Sequence, residues 1–364
     1  MKNSFGQSVT LTIFGESHGP AVGAVIDGLA PGMVVDEERI AAELSRRRPD
    51  GATDTARKEE DRFSILSGVF QGKTTGTPVT IVIPNENTKS GDYAYGLARP
   101  SHADYAAYCK YHGYEDYRGG GHFSGRVTAG LVAAGGILLP ALEQLGITVG
   151  THILSAAGVS DRALTPTPEE LTALKNKKFP VLDEQAGERM IKKIAEAREK
   201  GDSVGGRTET AVCGLMPGLG EPWFDSVESL LSHALFSLGG VKGVAFGEGF
   251  GFADLTGSAA NDPLRVEDGR IITETNRNGG INGGITNGMP VIFSCAVKPT
   301  PSIAIPQETV DFTKNENADI AVKGRHDPAI IRRICPVIDS VTTLVLCDLL
   351  AQRFGTDFLA GGKR

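Results

Sequence analysis

The chain has 364 residues, of which 40% are hydrophobic and 22% charged. This is the balance of a soluble, enzyme-sized protein with enough length for one large domain or two. A formal net charge of −7 argues against general nucleic-acid binding, which needs a basic surface. Five cysteines without a CxxC pair point to reduced thiols in a cytoplasm rather than to a disulfide framework or a zinc site. The N-terminal "MKNSFGQSVTLTIFGESHG" lacks the apolar run of a signal peptide. No run reaches the ~20 apolar residues of a membrane span, since 131–144 is broken by Gly-Gly, Pro and Glu. Glycine is the outlier: 47 residues, about twice the usual share, clustered as if several tight loops approached ligands.

Taken in chain order, 8–14 alternates apolar and polar as a half-buried strand does, and 20–27 reads as a second strand. The spacing of Ile40, Ala41 and Leu44 predicts a helix over 36–48, with Asp36 as its cap and arginines in its last turn. Strands follow at 63–70 and 77–84. A helix is expected at 101–112 with Ser101 as cap, and another at 127–145, where Gly135-Gly136 permits close packing. Residues 147–156 read as strand, and 167–176 and 183–200 as amphipathic helices. Next come strand 207–216, helix 225–238, strand 241–247 and the buried strand 289–298. A last helix, 328–353, carries a strong apolar face, with Asp327 as N-cap and Pro328 at N1. Strand pairs followed by helices, without regular βα alternation, favour an α+β layered fold. The polar stretch 158–205 reads as an insertion.

Several familiar motifs fail. "GKT" at 72–74 lacks the glycine a phosphate-binding loop needs at position 67, which is Ser. "GEGFG" at 247–251 has the wrong spacing for a dinucleotide fingerprint. "GESHG" at 15–19 resembles a nucleophile elbow, but Gly19-Pro20 stands where a helix should follow. A combination of other stretches survives. "FGESHG" places Ser17 and His18 at the end of the first strand. "SRRRPDG" sets three arginines at a helix end, "RPSHADY" sets Arg99 and His102 at a helix start, and "GRHDP" brings Arg325 and Asp327 to another. Arginine binds carboxylate and phosphate in a bidentate fork, and histidine is the acid or base of neutral pH. Such residues in a net-acidic protein point to a small polyanionic substrate. The glycine-rich segments 118–125 ("RGGGHFSG") and 278–288 ("NGGINGGITNG") can bring backbone N–H groups close to a cofactor phosphate or ring.

These stretches, with "GGVKGV" and "VKPTPSI", fall in the order and spacing of one family: from end to end the chain resembles the chorismate synthases. The resemblance implies a β-α-β-α layered sandwich forming a single domain over 1–364. It implies a lyase that turns 5-enolpyruvylshikimate 3-phosphate into chorismate by 1,4-anti-elimination of phosphate, the last shared step of aromatic amino-acid synthesis. Reduced FMN is required without net redox change. A homotetramer is implied, in the cytoplasm, with neither nucleic acid nor membrane as partner. FMN is reduced either by NADPH on the enzyme or by an external flavin reductase. No reductase domain or dinucleotide fingerprint is visible, which favours the external route.

Carried onto this chain, the resemblance makes His18, His102 and Asp327 catalytic. One histidine protonates the reduced flavin, the other stands near the leaving phosphate, and Asp327 acts in removing the substrate proton. Ser17, Arg47, Arg48, Arg99, Arg126 and Arg325 fall to the substrate. The FMN positions are His122, Phe123, Ser124, Gly239, Gly240, Gly283, Lys298, Pro299, Thr300, Pro301, Ser302 and Arg325. There are departures. Gly239-Gly240 stands where the family more often has Asn-Ala. His122-Phe123-Ser124 replaces Arg-Ser-Ser, removing a fixed charge. Position 53 is Thr where many members carry a further arginine, the next one here being Arg57. The rival readings are an FMN-dependent oxidoreductase with net redox chemistry and a non-catalytic binding module.

Overall fold

The computed structural model describes residues 2–51, 53–54, 60–86, 94–322 and 327–361; Arg57 and Arg325 lie outside them. The chain lays down β1 (Ser4–Phe5), β2 (Thr10–Gly15), β3 (Ala21–Asp27), α1 (Glu37–Arg47), β4 (Ser64–Ser67), β5 (Val69–Phe70), β6 (Lys73–Thr74) and β7 (Val79–Pro84). Then come α2 (Asp104–Tyr111), α3 (Thr128–Gln144), β8 (Thr148–Ala156), β9 (Val159–Ser160), α4 (Pro168–Lys175), α5 (Glu184–Glu199), β10 (Gly206–Cys213), α6 (Val227–Phe236) and β11 (Val241–Phe246). After the short α7 (Gly257–Ala260) follow β12 (Leu264–Glu267), β13 (Arg270–Thr273), β14 (Ile281–Asn282), β15 (Ile285–Thr286), β16 (Val291–Val297), β17 (Gln307–Asp311), β18 (Glu316–Ile320) and finally α8 (Ile331–Phe354).

Two antiparallel five-stranded sheets result, ordered β1-β2-β3-β7-β4 and β11-β16-β10-β8-β9. α3 lies on the first sheet, α8 on the second, and the two helices pack on each other with α1 and α6 beside them. The alternation of each strand turns one face to this helical layer: Val212 belongs to the main core, whereas Ala211 and Cys213 face outward under Leu171 and Leu174 of α4. The result is a sheet–helix–sheet–helix order. The polar stretch 158–205 supplies the outer helices α4 and α5.

Small residues let the layers approach. At Gly130 of α3 a Cβ would stand 2.5 Å from the Gly23 carbonyl oxygen of β3, and at Gly136 it would stand 2.7 Å from Ile40 Cα of α1. α8 and the segment 125–144 are long and apolar enough to cross a membrane. Their apolar windows are 100% and 78% buried inside the protein, so they are core helices here. α8 is therefore buried almost all round rather than along one face. Its polar residues are used internally. Asp348 accepts backbone N–H bonds from Gln7, Ser8 and Val9 at 2.7–3.1 Å, tying the N-terminal strand pair to the last helix.

Two expected caps are corrected. α1 starts as expected, Asp36 accepting from Glu38 and Arg39 N–H. α2, however, starts only at Asp104, and Ser101 sits before it at φ +59°. α8 has Ile330 at its N-cap position with no side-chain cap. Asp327 instead pairs with Arg333 at 2.5 Å, because the chain runs on from Pro328 before the helix begins.

Candidate active site

β2 ends at Gly15, and its loop carries His18 to the edge of a cavity of about 900 Å³. That volume is at the upper end of the ~300–1,000 Å³ usual for ligand and cofactor sites. The glycine loop closes over the other side. Gly119, Gly120 and Gly121 all have positive φ (61°, 83° and 52°), a run that only glycine adopts without strain. The loop runs against both histidines. A Cβ on Gly119 would lie 2.2 Å from the His18 ring, and one on Gly120 3.3 Å from the His102 ring. Gly121 accepts the Ser17 N–H at 3.0 Å. Gly119→Ala is therefore expected to displace His18 and to cut turnover about 100-fold, comparable with loss of a general acid or base. A circular-dichroism melt would show the fold retained, and wild-type turnover would contradict the geometry.

His102 is set by a closed ring of bonds. The Asp104 carboxylate accepts from Arg99 N–H at 2.9 Å, Arg99 Nε at 2.8 Å, Arg99 Nη2 at 2.7 Å and His102 Nδ1 at 2.7 Å. Burial opposes ionisation of Asp104, but the hydrogen bonds from Arg99 and His102 overcome it and hold the carboxyl well below its usual range. The segment Lys298–Ser302 is pinned to the same loop. Lys298 Nζ donates to the Ser101 carbonyl at 2.6 Å, and Arg99 Nη1 lies 3.4 Å from Ser302 Oγ.

Among the described residues, Lys2, Arg47, Arg99, Arg126, Lys242, Lys298 and Arg333 stand around the cavity against two carboxylates, Asp61 and Asp327. Asp61 is buried at φ +52° between Arg126 Nη1, which bonds its Oδ1, and Arg47 Nη2, 3.7 Å from its Oδ2. Arg126 also donates to Asn85 Oδ1 at 2.8 Å and to the Pro84 carbonyl at 3.0 Å. Burial drives the Arg47 guanidinium down to about 9; Asp61 opposes this, and the neighbouring Arg333 and Arg126 add to it. Positive charge is thus crowded here beyond what the carboxylates balance, which is the condition for holding a polyanion.

The three arginines of "SRRRPDG" divide their work. Arg46 is structural, bound to Glu43 at 2.5 Å and to the wholly buried Asp339 at 2.8 Å. Arg47 faces the cavity. Arg48 is the C-cap of α1 and does not line the cavity.

Most expected site residues meet at this wall: His18, His102, Asp327, Arg47, Arg99, Arg126, His122, Phe123, Ser124, Gly239, Gly240 and Lys298 through Ser302. Ser17 is fully buried beneath the glycine loop rather than lining the wall. Gly283, at the β14–β15 turn, is not brought to the cavity. Three residues the sequence reading passed over belong to the site: Asp61, Asp104 and Arg333. Arg333 had a signal, because Arg332-Arg333 puts two cations in the first turn of a helix, where the dipole disfavours them. Both reach back to α1. Arg332 donates to the Arg46 and Arg48 carbonyls, and Arg333 Nε donates to the Arg47 carbonyl at 2.9 Å.

The wall also has room and unmet bonding capacity for a cofactor. Thr300 Oγ1 is buried without a hydrogen-bond partner among the described residues, and a Cβ on Gly239 would meet nothing within 4 Å. His122 Nδ1 donates to the Gly15 carbonyl at 2.8 Å. This fixes the tautomer and turns its charge-bearing potential over to Nε2.

Residues 9–351 match the sequence profile of the family described as "Chorismate synthase". The chain belongs to the chorismate synthase family. It is 45% identical over 350 residues to the chorismate synthase of Thermococcus kodakarensis, spanning 96% of this chain and 97% of that one. It is 47% identical over 355 residues to the chorismate synthase of Aeropyrum pernix, spanning 97% and 93%. Among solved structures, a crystal structure of chorismate synthase superposes with TM-score 0.76 at 27% identity, covering 96% of this chain and 94% of that one. As a chorismate synthase the protein is a carbon–oxygen lyase, and its α+β layering is that of its structural relative.

Proposed function

We infer that the cavity binds 5-enolpyruvylshikimate 3-phosphate together with reduced FMN, and that its two histidines serve the 1,4-anti-elimination of phosphate that yields chorismate. The observation that carries this reading is seven Lys and Arg side chains against two carboxylates around one cavity, in a protein whose formal net charge is −7. The substrate has one phosphate and two carboxylates, and such a cluster matches it. Arg47, Arg99 and Arg126 set the field for it, Arg48 and Ser17 support the loops from behind, and Arg325 belongs to the same proposal.

FMN would be held by Lys298 to Ser302, Gly239, Gly240 and the 122–124 loop. The Thr300 hydroxyl and backbone N–H groups would stand in for the arginine that His122 replaces. When bound, reduced FMN supplies electron density transiently to the breaking C–O bond, with no net redox change. His18 and His102, standing against Gly119 and Gly120 of the glycine loop, would serve the proton transfers. Asp327, kept in place by Arg333, is positioned to accept the substrate proton. Burying these groups away from water strengthens each electrostatic interaction among them.

The reading extends to a cytoplasmic homotetramer, consistent with five free cysteines, and to reduction of FMN by an external reductase. Anaerobic turnover with NADPH alone would overturn that last point, and turnover only with dithionite would support it. Arg47→Gln is expected to raise the substrate KM by about 10- to 100-fold, the value of a charge-assisted hydrogen bond. Absence of chorismate from the wild-type protein supplied anaerobically with substrate and reduced FMN would sink the reading.

A further inference from the structure

We propose that Asp104 is a positioning residue for the reaction, fixing the proton of His102 on Nδ1 so that Nε2 alone exchanges a proton with the cavity. The inference rests on His102 acting in the elimination. The geometry is specific. Asp104 Oδ1 lies 2.7 Å from both His102 Nδ1 and Arg99 Nη2. Arg99 Nη2 and His102 Nδ1 are themselves 3.1 Å apart. A guanidinium only donates and an ionised carboxylate only accepts. The 2.7 Å contact to a pure acceptor, shorter than the 3.1 Å contact to Arg99, selects Nδ1–H directed at Asp104 over a lone pair taking the Arg99 donor. The lone pair or second proton then resides on Nε2.

His102 lines the large cavity and also a smaller one of about 190 Å³ behind it, which Asp104 lines too. A Cβ on Gly120 would come within 3.4 Å of Nε2, so the bare backbone of the glycine loop is what lets the ring's working edge stand against it. The ring is held at Nδ1 by a carboxylate and sets Nε2 against the glycine loop, the same division of labour as in an acid–histidine pair on other folds.

The charged groups that face His102 are Asp104 and Arg99 from its own loop. Lys298 is tied to the Ser101 carbonyl, and Glu115 and Asp116 share the smaller cavity. Of these only Asp104 touches Nδ1 with a negative charge. Its carboxylate is therefore the acceptor that holds the Nδ1–H. When the proton leaves Nε2, the ring becomes neutral and keeps Nδ1–H on Asp104. No other atom has to move.

The sequence spacing explains how three residues make the device. Arg99, His102 and Asp104 sit at i, i+3 and i+5 on a loop that folds back on itself through the His102 N–H to Arg99 carbonyl bond of 3.1 Å. The turn at Ser101, φ +59°, brings the ring over the first residue of α2.

The test is anaerobic steady-state kinetics across pH for Asp104→Asn, Asp104→Glu and His102→Ala. Asp104→Asn is expected to lower kcat about 10- to 100-fold and leave KM little changed. The limb of its pH profile that reports the protonated ring is expected to move to lower pH. Asp104→Glu, which keeps the charge beside Nδ1, is expected to hold the wild-type limb and recover part of kcat. Should the Asn protein fail to fold, Asp104→Glu still decides, because a moved limb there would overturn the inference. Wild-type kcat in Asp104→Asn, or a loss confined to KM, would also overturn it by assigning the carboxylate to Arg99 and substrate anchoring alone. Full turnover in His102→Ala would instead remove the role of His102 itself, and with it the reading of the site.

Discussion

Replacing His18 or His102 with alanine is expected to slow turnover by about 10²- to 10⁴-fold, the range for losing a general acid or base, while the substrate KM changes little. The reason is positional. The His18 ring stands against Gly119 and the His102 ring against Gly120, so a side chain at either glycine would meet a ring. Both rings line the cationic cavity. On the proposed reading anion binding falls to the arginines and lysines, so removing an imidazole would leave most of the substrate's binding energy and take away proton transfer. If the two serve one reaction as a unit, the double variant will lose far less than the product of the single losses. Anaerobic kcat and KM for the three proteins are the measurement. Wild-type kcat in either single variant would mean that the ring is merely packed beside the loop.

The second large effect concerns stability. Arg46→Met is expected to destabilise the protein by about 3–5 kcal/mol, because it strands a buried carboxylate. Asp339 is fully buried in α8, and Arg46 Nη2 lies 2.8 Å from its Oδ2. Burial already pushes the Asp339 carboxyl up even with Arg46 present. An acid whose pKa is raised on folding gives a native state that holds its proton longer than the unfolded chain does. Stability tied to that proton is present below the ordinary carboxylate range and is lost as pH rises through the raised value. The deficit of Arg46→Met should therefore be smallest in acid and grow towards neutrality. Adding Asp339→Leu removes the stranded charge and should recover most of the loss, since an apolar pair often replaces a buried ion pair at no cost. Denaturant unfolding at several pH values reads all three outcomes; equal stability of wild type and Arg46→Met at neutral pH would refute the account.

Local patterns were legible where chain-local physics decides them. Asp36 capping α1, the apolar stripe of Ile40 and Leu44, and the small residues of α3 are set by periodicity and size, and they appear as read. So do the loops that carry His18 and 118–126, whereas His102 sits in a turn before α2 rather than in its first turn. What could not be read is what distant segments do to one another. Nothing local says that Arg46 turns to α8 while Arg47 turns to the cavity, since both complement the same helix end. Asp327-Pro328 has the look of a helix start, yet the helix begins three residues beyond Pro328 and Asp327 answers to Arg333. Asp104 reads as an ordinary acidic first-turn residue until the fold-back at Ser101 places it beneath the His102 ring. Gly283 shares the glycine-rich character of a cofactor loop but serves the turn between β14 and β15. A buried carboxylate with two arginine partners, Asp61, carries no sequence mark at all, since its environment is assembled from α1 and the loop before α3.

The central claim is an elimination that needs reduced flavin and consumes none. Its most direct test is anaerobic conversion of excess 5-enolpyruvylshikimate 3-phosphate by the wild-type protein with a small, fixed amount of reduced FMN and no further reductant. The account predicts many chorismate and phosphate molecules for each flavin, with the flavin still reduced at the end. One product per flavin, with FMN oxidised in step, would contradict it and make the protein a net oxidoreductase.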